Sequence, residues 1–453
     1  MTGTSLLRSA LPDPPPGLRI VMDARPLQDP ARGPATARYL DGLLGAFDAA
    51  PIPGESFAFL LQSDLDDPTM AFDHLEVIGR RMLPPTRLLR SGALTVDPFL
   101  LRGASLGAAW RSDRSGAAGA VYHAAAGAPP MLSRIPVVVT LLDLAPWELR
   151  GVFQRTPGSR FGQRLRGRLI RDAAAVIVGS EAVAIAARRL LRLRAARVRV
   201  VPLAPHPAFV AVGVEHGGSP MTSRAAAAAR AAAAARAAAA TERARLGLPE
   251  RYLVYFGRFD ARHDVGGFLR ALAELGARPR PRGLPAAAAW PPSVLIAGAS
   301  PEDRASLARA AGRVGAGETL VFAPALPPER LAGLVRDARA VVMPAIIDGA
   351  ALSALDAVAA GVPVVATAVG ALPEAVGSAG ILVEPRDPSR LAEALRTMWA
   401  DDRVRDRLVL AARERGGAAA RTWSDVALET RRVYADVGVR EPEREAGLGR
   451  AQR

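Results

Sequence analysis

The sequence of 453 residues contains no cysteine and no lysine. Without cysteine the chain forms no disulfide, has no thiolate nucleophile and cannot bind zinc through sulfur. Without lysine it cannot form a Schiff base with a substrate or use the phosphate-binding lysine of a P-loop. The 5 histidines are scattered along the chain without the spacing of a metal site. A structural metal is therefore not expected.

The sequence also lacks a long uninterrupted hydrophobic run. Its longest apolar stretch, residues 357–373, is broken by Gly361 and Pro363 and is typical of a buried strand with flanking turns. The first residues contain one arginine and lead into the proline-rich residues 12–16 without the sustained apolar segment of a signal peptide. The sequence therefore predicts a cytoplasmic protein.

All 59 basic residues are arginine, and the formal net charge is +15. An arginine excess is typical of proteins that bind nucleic acid. The replacement of every lysine by arginine, together with abundant alanine, glycine and proline, also fits a GC-rich coding bias that carries no functional meaning. No recognition helix or RNP-type aromatic cluster accompanies the arginines. Nucleic acid is therefore not favoured as a partner, and nucleic-acid binding is kept as a lesser hypothesis.

Short apolar runs alternate with segments of helical period, which is typical of parallel sheets covered by helices on both faces. The first half predicts strands at 19–22, 57–62, 75–78, 121–123, 137–142, 175–178 and 198–202. The second half predicts strands at 252–256, 293–297, 319–322, 340–343, 363–366 and 380–383. The pattern predicts an α/β protein with two doubly wound, Rossmann-like domains. Such domains bind ligands at the carboxyl ends of their strands, so the site is expected in the cleft between them.

Two polar stretches in the second half follow predicted strands. The first, residues 257–263, reads Gly-Arg-Phe-Asp-Ala-Arg-His. Glycine permits a tight turn there, and an arginine at a strand end can bind two phosphate oxygens at once. The second begins with Asp348 and Gly349 and places Asp356 eight residues after Asp348. Because two helical turns separate such positions, both carboxylates are expected on one face of the cleft.

The order of these motifs resembles that of GT-B glycosyltransferases of family 4. The first half carries matching segments at 23–28, 142–146, 178–183 and 200–203, so the resemblance extends over about residues 18–437. It implies a GT-B fold and an enzyme that transfers a hexosyl group from a nucleotide-sugar with retention of configuration. It also implies a metal-independent reaction without a cofactor, in which the nucleotide-sugar is a substrate. The acceptor, whether a glycan, a lipid or a small molecule, is not identified.

The resemblance also predicts the organisation of the chain. Residues 1–17 are a flexible N-terminus, 18–210 the acceptor-side domain, and 211–247 an insertion and linker rich in alanine and arginine. Residues 248–415 are the nucleotide-sugar-binding domain, 416–438 a helix packing back towards the N-terminal domain, and 439–453 a flexible tail. The insertion contains no large apolar stripe, so it is expected to be solvated and to carry no chemistry.

The resemblance assigns the site residues. The catalytic residues are Asp348, which would hold the donor sugar hydroxyls, and Asp143. The acceptor side would include Gly33, Arg38 and His123. The residues that would bind the donor are Gly257, Arg258, His263, Gly349, Ala350, Ala351, Leu352 and Asp356, with Asp356 on the ribose and Arg258 on the diphosphate.

Several positions depart from the family pattern. The family has a lysine on the diphosphate where this chain has His263, two glutamates where it has Asp348 and Asp356, and a glycine where it has Ala351. The histidine that normally precedes the aspartate at position 143 is Leu142. The changes fit either an altered donor or impaired catalysis. The alternative hypothesis is therefore a GT-B-like protein that binds a nucleotide-sugar or serves as a regulatory subunit.

Structural alternatives accompany several assignments. Asp348 is also a suitable helix cap, Glu374 also suits the first turn of a helix, and His123 also suits a structural role. Between residues 155 and 171, several arginines share one helical face with Phe161 beside them. That face is either simply solvated or a peripheral contact with anionic lipid on the cytoplasmic face of a membrane.

Overall fold

The computed structural model describes residues 17–86, 93–114, 119–125, 129–210, 223–416 and 420–438. The predicted flexible N-terminus, apart from Gly17, and the whole predicted tail at 439–453 lie outside these residues. So do residues 211–222 of the predicted insertion.

The described strands are short and mostly buried, as expected for sheets covered on both faces. The first sheet contains β1 (Arg19–Asp23), β2 (Ser56–Gln62), β3 (Val77–Leu83), β4 (Ala120–Ala124), β5 (Val137–Leu141), β6 (Ala175–Val178) and β7 (Val198–Val200). The second sheet contains β8 (Leu253–Phe256), β9 (Val294–Ala297), β10 (Leu320–Ala323), β11 (Ala340–Met343), β12 (Val364–Thr367) and β13 (Gly380–Val383).

Helices connect the strands, and several start at a proline or behind a capping side chain. In the first half they are α1 (Arg25–Gln28), α2 (Pro34–Ala49), α3 (Ala93–Arg114), α4 (Ala145–Glu148), α5 (Arg150–Phe153), α6 (Pro157–Asp172) and α7 (Glu181–Leu191). After them come α8 (Ser223–Arg245), α9 (Val265–Ala277), α10 (Pro301–Val314), α11 (Pro328–Asp337), α12 (Leu352–Ala359), α13 (Leu372–Val376), α14 (Pro388–Ala400), α15 (Asp402–Gly416) and α16 (Trp423–Gly438).

Both sheets are parallel and doubly wound. The strand order is β3-β2-β1-β4-β5-β6-β7 in the first and β10-β9-β8-β11-β12-β13 in the second. In each sheet the order reverses beside the first strand, which places a ligand crevice at the carboxyl ends of the central strands. The predicted α/β fold with two Rossmann-like domains is confirmed.

One predicted strand lies in the wrong place. The apolar run 75–78 was expected to form the third strand, but β3 covers Val77–Leu83 and includes Arg80 and Arg81. This strand is an edge strand paired only with β2, with a register shift between Phe57 and Ala58. Pairing with β2 therefore outweighs the local apolar pattern, since an edge strand tolerates charged side chains.

The last helix returns to the first domain. α16 packs on α2 and β4, and the Trp423 indole lies directly over Gly42, where any side chain would collide with it.

Within the predicted insertion, α8 is a helix whose Ala239 packs against Gly333 of α11. Among the described helices, none is long and apolar enough to cross a membrane. The described residues also contain no group of three potential metal-binding side chains.

Candidate functional site

The two domains face each other across a cleft of ≈ 190 Å³. Its walls are the start of α2, the loop after β5, the loops after β8 and β11, and the start of α12. Predicted site residues that line the cleft are Arg38, Asp143, Gly257, Arg258, His263, Asp348, Gly349, Ala350 and Leu352. Ala351 and Asp356 are buried and do not line it, Gly33 lines a second cavity, and His123 lies in the core.

The loop after β8 is fixed by backbone hydrogen bonds. The N–H groups of Ile346 and Ile347 both donate to the carbonyl of Arg262, at 2.7 and 3.1 Å. The N–H of Asp264 donates to the carbonyl of Pro344 at 2.6 Å, and the Asp264 side chain then caps α9. The loop after β8 is therefore joined to the loop after β11, and its side chains project from a rigid backbone.

Arg262 joins the two domains across the cleft. Its Nε and Nη2 both donate to Oδ2 of Asp143, at 2.9 and 2.6 Å, while Nη1 donates to Asp260. The guanidinium also lies over the Phe153 ring, 4.7 Å from its centroid. Burial opposes the charge of Arg262, but the hydrogen bonds and the negative charge of Asp143 and Asp260 outweigh burial and raise its pKa. Arg262 remains a permanent cation.

Arg258 and His263 lie on either side of Arg262 in sequence but differ in charge. The Arg258 Nε is 3.1 Å from Oδ2 of Asp260, and its Nη2 donates to the carbonyl of Arg32 at 3.3 Å. Burial lowers the pKa of His263, and the nearby Asp348 and Asp260 only partly oppose it. His263 is therefore neutral at neutral pH. The neutral ring can donate a hydrogen bond to a phosphate oxygen, but it carries no positive charge to compensate the phosphate.

Asp348 forms a turn ahead of α12. Its Oδ1 accepts the N–H groups of Ala350 at 3.1 Å and Ala351 at 2.7 Å. Ala351 has a φ of 48°, in the left-handed region that favours glycine. A non-glycine residue there costs roughly 1–2 kcal/mol. The alanine found where the family has glycine therefore adopts a strained conformation.

Asp356 forms an ion pair between the domains. Both its oxygens accept from the Arg38 guanidinium at 2.5 Å, and Oδ1 also accepts the N–H of His206 at 2.8 Å. The residue is only 1% exposed. Asp356 therefore does not face the cleft in this arrangement, because Arg38 occupies both oxygens. Its contact with a ribose stays a prediction.

Two further contacts hold the domains together. The Glu374 carboxylate accepts the N–H groups of Glu181 at 3.1 Å and Ala182 at 2.8 Å, so it caps α7 of the other domain. Gly349 approaches Leu142 so closely that a Cβ at position 349 would lie 2.6 Å from the Leu142 carbonyl oxygen. The domains are therefore in contact at several points around the cleft.

A second cavity, of ≈ 330 Å³, lies in the N-terminal domain. Asp23, Gly33, Thr36 and Asp97 contribute to its lining, as does Arg166 from α6. Burial lowers the pKa of Arg166 to about 10, and its Nε has no hydrogen-bond partner among the described residues. The cavity adjoins the loop after β1, where the sequence predicted contacts with the acceptor.

His123 is in the core and does not reach the acceptor side. Its Nε2 lies 2.8 Å from Thr140 Oγ1 and its Nδ1 lies 2.7 Å from the Tyr434 hydroxyl. Tyr39 completes the network with a 3.1 Å hydrogen bond to Thr140. The assignment of His123 to the acceptor side is corrected for this structure, because the side chain is fully buried and both ring nitrogens have partners. It links α16 to the first sheet.

The buried imidazole predicts a pH-dependent stability. Burial lowers the pKa of His123 to about 3. The unfolded chain binds a proton below a pH of about 6.5 whereas the folded chain does not, so stability falls as the pH drops. We expect a loss of about 1.4 kcal/mol between roughly pH 7.5 and pH 5.5 that is absent from His123→Gln. Denaturant unfolding of both proteins at both pH values measures the difference. An equal change in unfolding free energy with pH for the two proteins would contradict the prediction.

Part of the C-terminal domain resembles a known protein family. Residues 250–401 match the family described as glycosyl transferases group 1. This matched segment supplies Arg258, Arg262 and Asp348 to the cleft. The predicted resemblance to GT-B glycosyltransferases is confirmed, whereas membership of family 4 stays a prediction.

Relatives and solved structures extend the comparison beyond residues 250–401. A D-inositol 3-phosphate glycosyltransferase of Nocardioides sp. is 37% identical over 207 residues, which is 43% of this chain and 44% of that protein. The chain thus spans less than half the length of this curated relative. Sucrose-phosphate synthase of Thermosynechococcus elongatus superposes with a TM-score of 0.64 at 21% identity, covering 92% of this chain and 98% of that one. HepE of Anabaena, solved with UDP and glucose, superposes with a TM-score of 0.57 at 16% identity and covers 91% of this chain and 99% of that one. These structures share the fold.

The sequence did not reveal the long-range pairs of the site. Arg262 lies in the same strand-end loop as Arg258, and only the structure shows that it is bound to Asp143. Arg166 lies in the arginine-rich segment 155–171, and only the structure shows that it lines the second cavity. The arginine at 262 was visible as the second arginine of a strand-end loop, but nothing local in the sequence indicated its carboxylate partner.

Proposed function

We propose that the protein is a glycosyltransferase that moves a sugar from a nucleotide-sugar donor to a hydroxyl group of an acceptor. The observation that carries this proposal is the convergence of Arg258, Arg262 and Asp348 of the C-terminal domain with Asp143 of the other domain on one cleft. In the reaction the bond between the anomeric carbon and the leaving phosphate oxygen breaks. A bond to the acceptor oxygen forms, the acceptor hydroxyl passes its proton to the departing phosphate oxygen, and the nucleoside diphosphate leaves.

The arginines supply the electrostatic part of this chemistry. The leaving diphosphate gains negative charge in the transition state, and fixed guanidinium groups in a partly closed cleft stabilise that charge. Asp348 is placed to bind donor sugar hydroxyls, as the resemblance implies, and retention of configuration is proposed on the same ground. Neutral His263 would contribute a hydrogen bond rather than a charge. We propose no metal and no cofactor.

We assign the body of the acceptor to the cavity of the N-terminal domain, with its reacting hydroxyl directed to Asp143 in the cleft. That cavity is bounded by the loop after β1 and by α3 and α6, and it carries both carboxylates and arginines. Such a mixed lining suits a polar, hydroxyl-bearing ligand.

A peripheral contact with an anionic membrane also stays a prediction. Phe161 on α6 is 58% exposed, and Arg160, Arg164 and Arg168 on the same helix are exposed as well.

A catalytically impaired nucleotide-sugar-binding protein is the second candidate. The strained Ala351 and the buried Arg38–Asp356 pair favour it, since both alter positions that the resemblance assigns to the donor. Assays of donor hydrolysis and sugar transfer with UDP- and GDP-sugars, run beside calorimetric binding, separate the two. Turnover of any donor supports the enzyme, and tight binding without turnover supports the second candidate.

Loss of Arg258 is expected to weaken nucleotide binding. A charge-assisted hydrogen-bonded contact is worth roughly 1.5–3 kcal/mol, so Arg258→Ala should raise the Kd for UDP or GDP at least about tenfold. Arg280→Ala is the matched control, because Arg280 is an exposed arginine of the same domain outside the cleft. Unchanged affinity in a folded Arg258→Ala variant would show that the donor site lies elsewhere.

A further inference from the structure

All three arginines that line the cleft already bind carboxylates of the protein. Arg38 binds Asp356, Arg258 binds Asp260, and Arg262 binds Asp143 and Asp260. The cleft is also small: ≈ 190 Å³ lies below the range of roughly 300–1,000 Å³ typical of sites for small ligands. A diphosphate therefore competes with internal carboxylates for these guanidinium groups.

Arg262 is the cation best placed for that exchange. Its side chain is 17% exposed, against 31% for Arg258. The Nε and Nη2 atoms form one edge of the guanidinium, and both donate to a single oxygen of Asp143. The same edge binds phosphate oxygens in the same way, because phosphate and carboxylate present similar acceptors to the planar fork. Asp143 thus occupies the position that a donor phosphate would need.

The surroundings permit the exchange without rearrangement of the backbone. The Arg262 carbonyl is held by two N–H groups of the loop after β11, so only its side chain needs to move. Asp143 has its own support, since its Oδ1 accepts the N–H of Ala145 at 2.8 Å. Its carboxylate therefore stays at the cleft wall after Arg262 leaves.

We propose that the donor diphosphate takes Arg262 from Asp143, and that this exchange frees the Asp143 carboxylate to face the acceptor. The inference rests on the proposed function and adds a regulatory step to it. Before the donor binds, Asp143 is occupied by the arginine of the opposite domain. After the donor binds, Asp143 has lost that partner and can accept a hydrogen bond from the acceptor hydroxyl. The donor is therefore the first substrate to bind.

Calorimetric titration of the full chain with UDP and with GDP tests the exchange. Asp143→Asn keeps an oxygen for the Ala145 N–H but removes the negative charge that competes for Arg262. It should therefore tighten nucleotide binding by about three- to tenfold, although it removes a group assigned to the reaction. Arg262→Gln should weaken binding about tenfold. The double variant should bind like Arg262→Gln, because Asp143 acts only through Arg262.

A control separates the exchange from simple opening of the domains. Glu374→Gln weakens a different contact between the domains, at the start of α7, without touching Arg262. Nucleotide affinity close to that of the unaltered protein is expected for this variant. If Glu374→Gln and Asp143→Asn tighten nucleotide binding equally, the proposal is overturned, because opening of the domains would then explain the tighter binding. Unchanged or weaker binding in a folded Asp143→Asn variant would also overturn it. If the unaltered protein binds neither nucleotide, the proposed function itself fails.

Discussion

Replacing Arg25 with methionine is expected to cost about 3–5 kcal/mol of unfolding free energy, the usual effect of removing one partner from a buried ion pair. Arg25 donates to Asp23 through Nε at 2.8 Å and Nη2 at 2.7 Å, and to Asp97 through Nη1 at 3.1 Å. All three side chains are buried. Without the guanidinium, two buried carboxylates lose the cation that is hydrogen-bonded to both of them.

The variant should also respond to pH in a characteristic direction. Burial without a cation raises the pKa of a carboxylate above its unfolded value, so the folded variant binds more protons than the unfolded chain. Its stability deficit should therefore shrink as the pH falls from about 7 to about 5. Denaturant unfolding and amide hydrogen exchange in β1 and β4 at both pH values measure the deficit.

Arg80→Met is the matched control for this prediction. Arg80 pairs with Asp67 at 2.6 Å in the same domain, but its side chain is 31% exposed. A pair that water can reach contributes roughly 0–1 kcal/mol, so this variant should lose little stability. Equal losses for Arg80→Met and Arg25→Met would contradict the special role of the buried network.

Arg38→Met is expected to open the cleft. The pair between Arg38 and Asp356 joins α2 to α12, and its loss leaves a buried carboxylate that, among the described residues, is held by the His206 N–H alone. An uncompensated charge costs about 3–5 kcal/mol in the closed arrangement. Because Asp356 lies between the two domains, their separation lets water reach it. The variant should therefore show a larger radius of gyration by small-angle scattering than the unaltered protein.

A double variant distinguishes opening from damage. Arg38→Met combined with Asp356→Leu removes both charges, and a well-packed apolar pair can replace a buried ion pair at little cost. The double variant should return to the radius of gyration of the unaltered protein. If Arg38→Met alone scatters like the unaltered protein and is equally stable, the pair does not hold the domains together.

The fold could be predicted because its signal is local. Each buried parallel strand is a short apolar run, and each run is followed by a segment of helical period, so two parallel sheets follow from the sequence. The exception is β3, where the charged side chains of Arg80 and Arg81 conceal a strand that pairing with β2 defines. An edge strand has only one neighbour and therefore carries a weaker apolar pattern.

The candidate site could be predicted only in part. Strand-end positions such as Arg258, Asp143 and Asp348 do reach the cleft, because parallel strands bring their carboxyl ends to one edge. His123 also follows a strand pattern, but a core of aromatic and hydroxyl groups encloses it. The sequence shows that a histidine lies near the end of a strand, not which neighbours will surround its ring.

The two parallel sheets, the loop of four polar and charged side chains after β8, and the absence of any lysine or cysteine chemistry all follow from the sequence alone. Which carboxylate each arginine binds depends on the packing of the two domains. Arg262 and Asp143 are 119 positions apart, and Arg38 and Asp356 are 318 positions apart. No periodic pattern connects residues at such separations. Their pairing depends on how the two sheets face each other, because a charge removed from water is stable only beside an opposite charge.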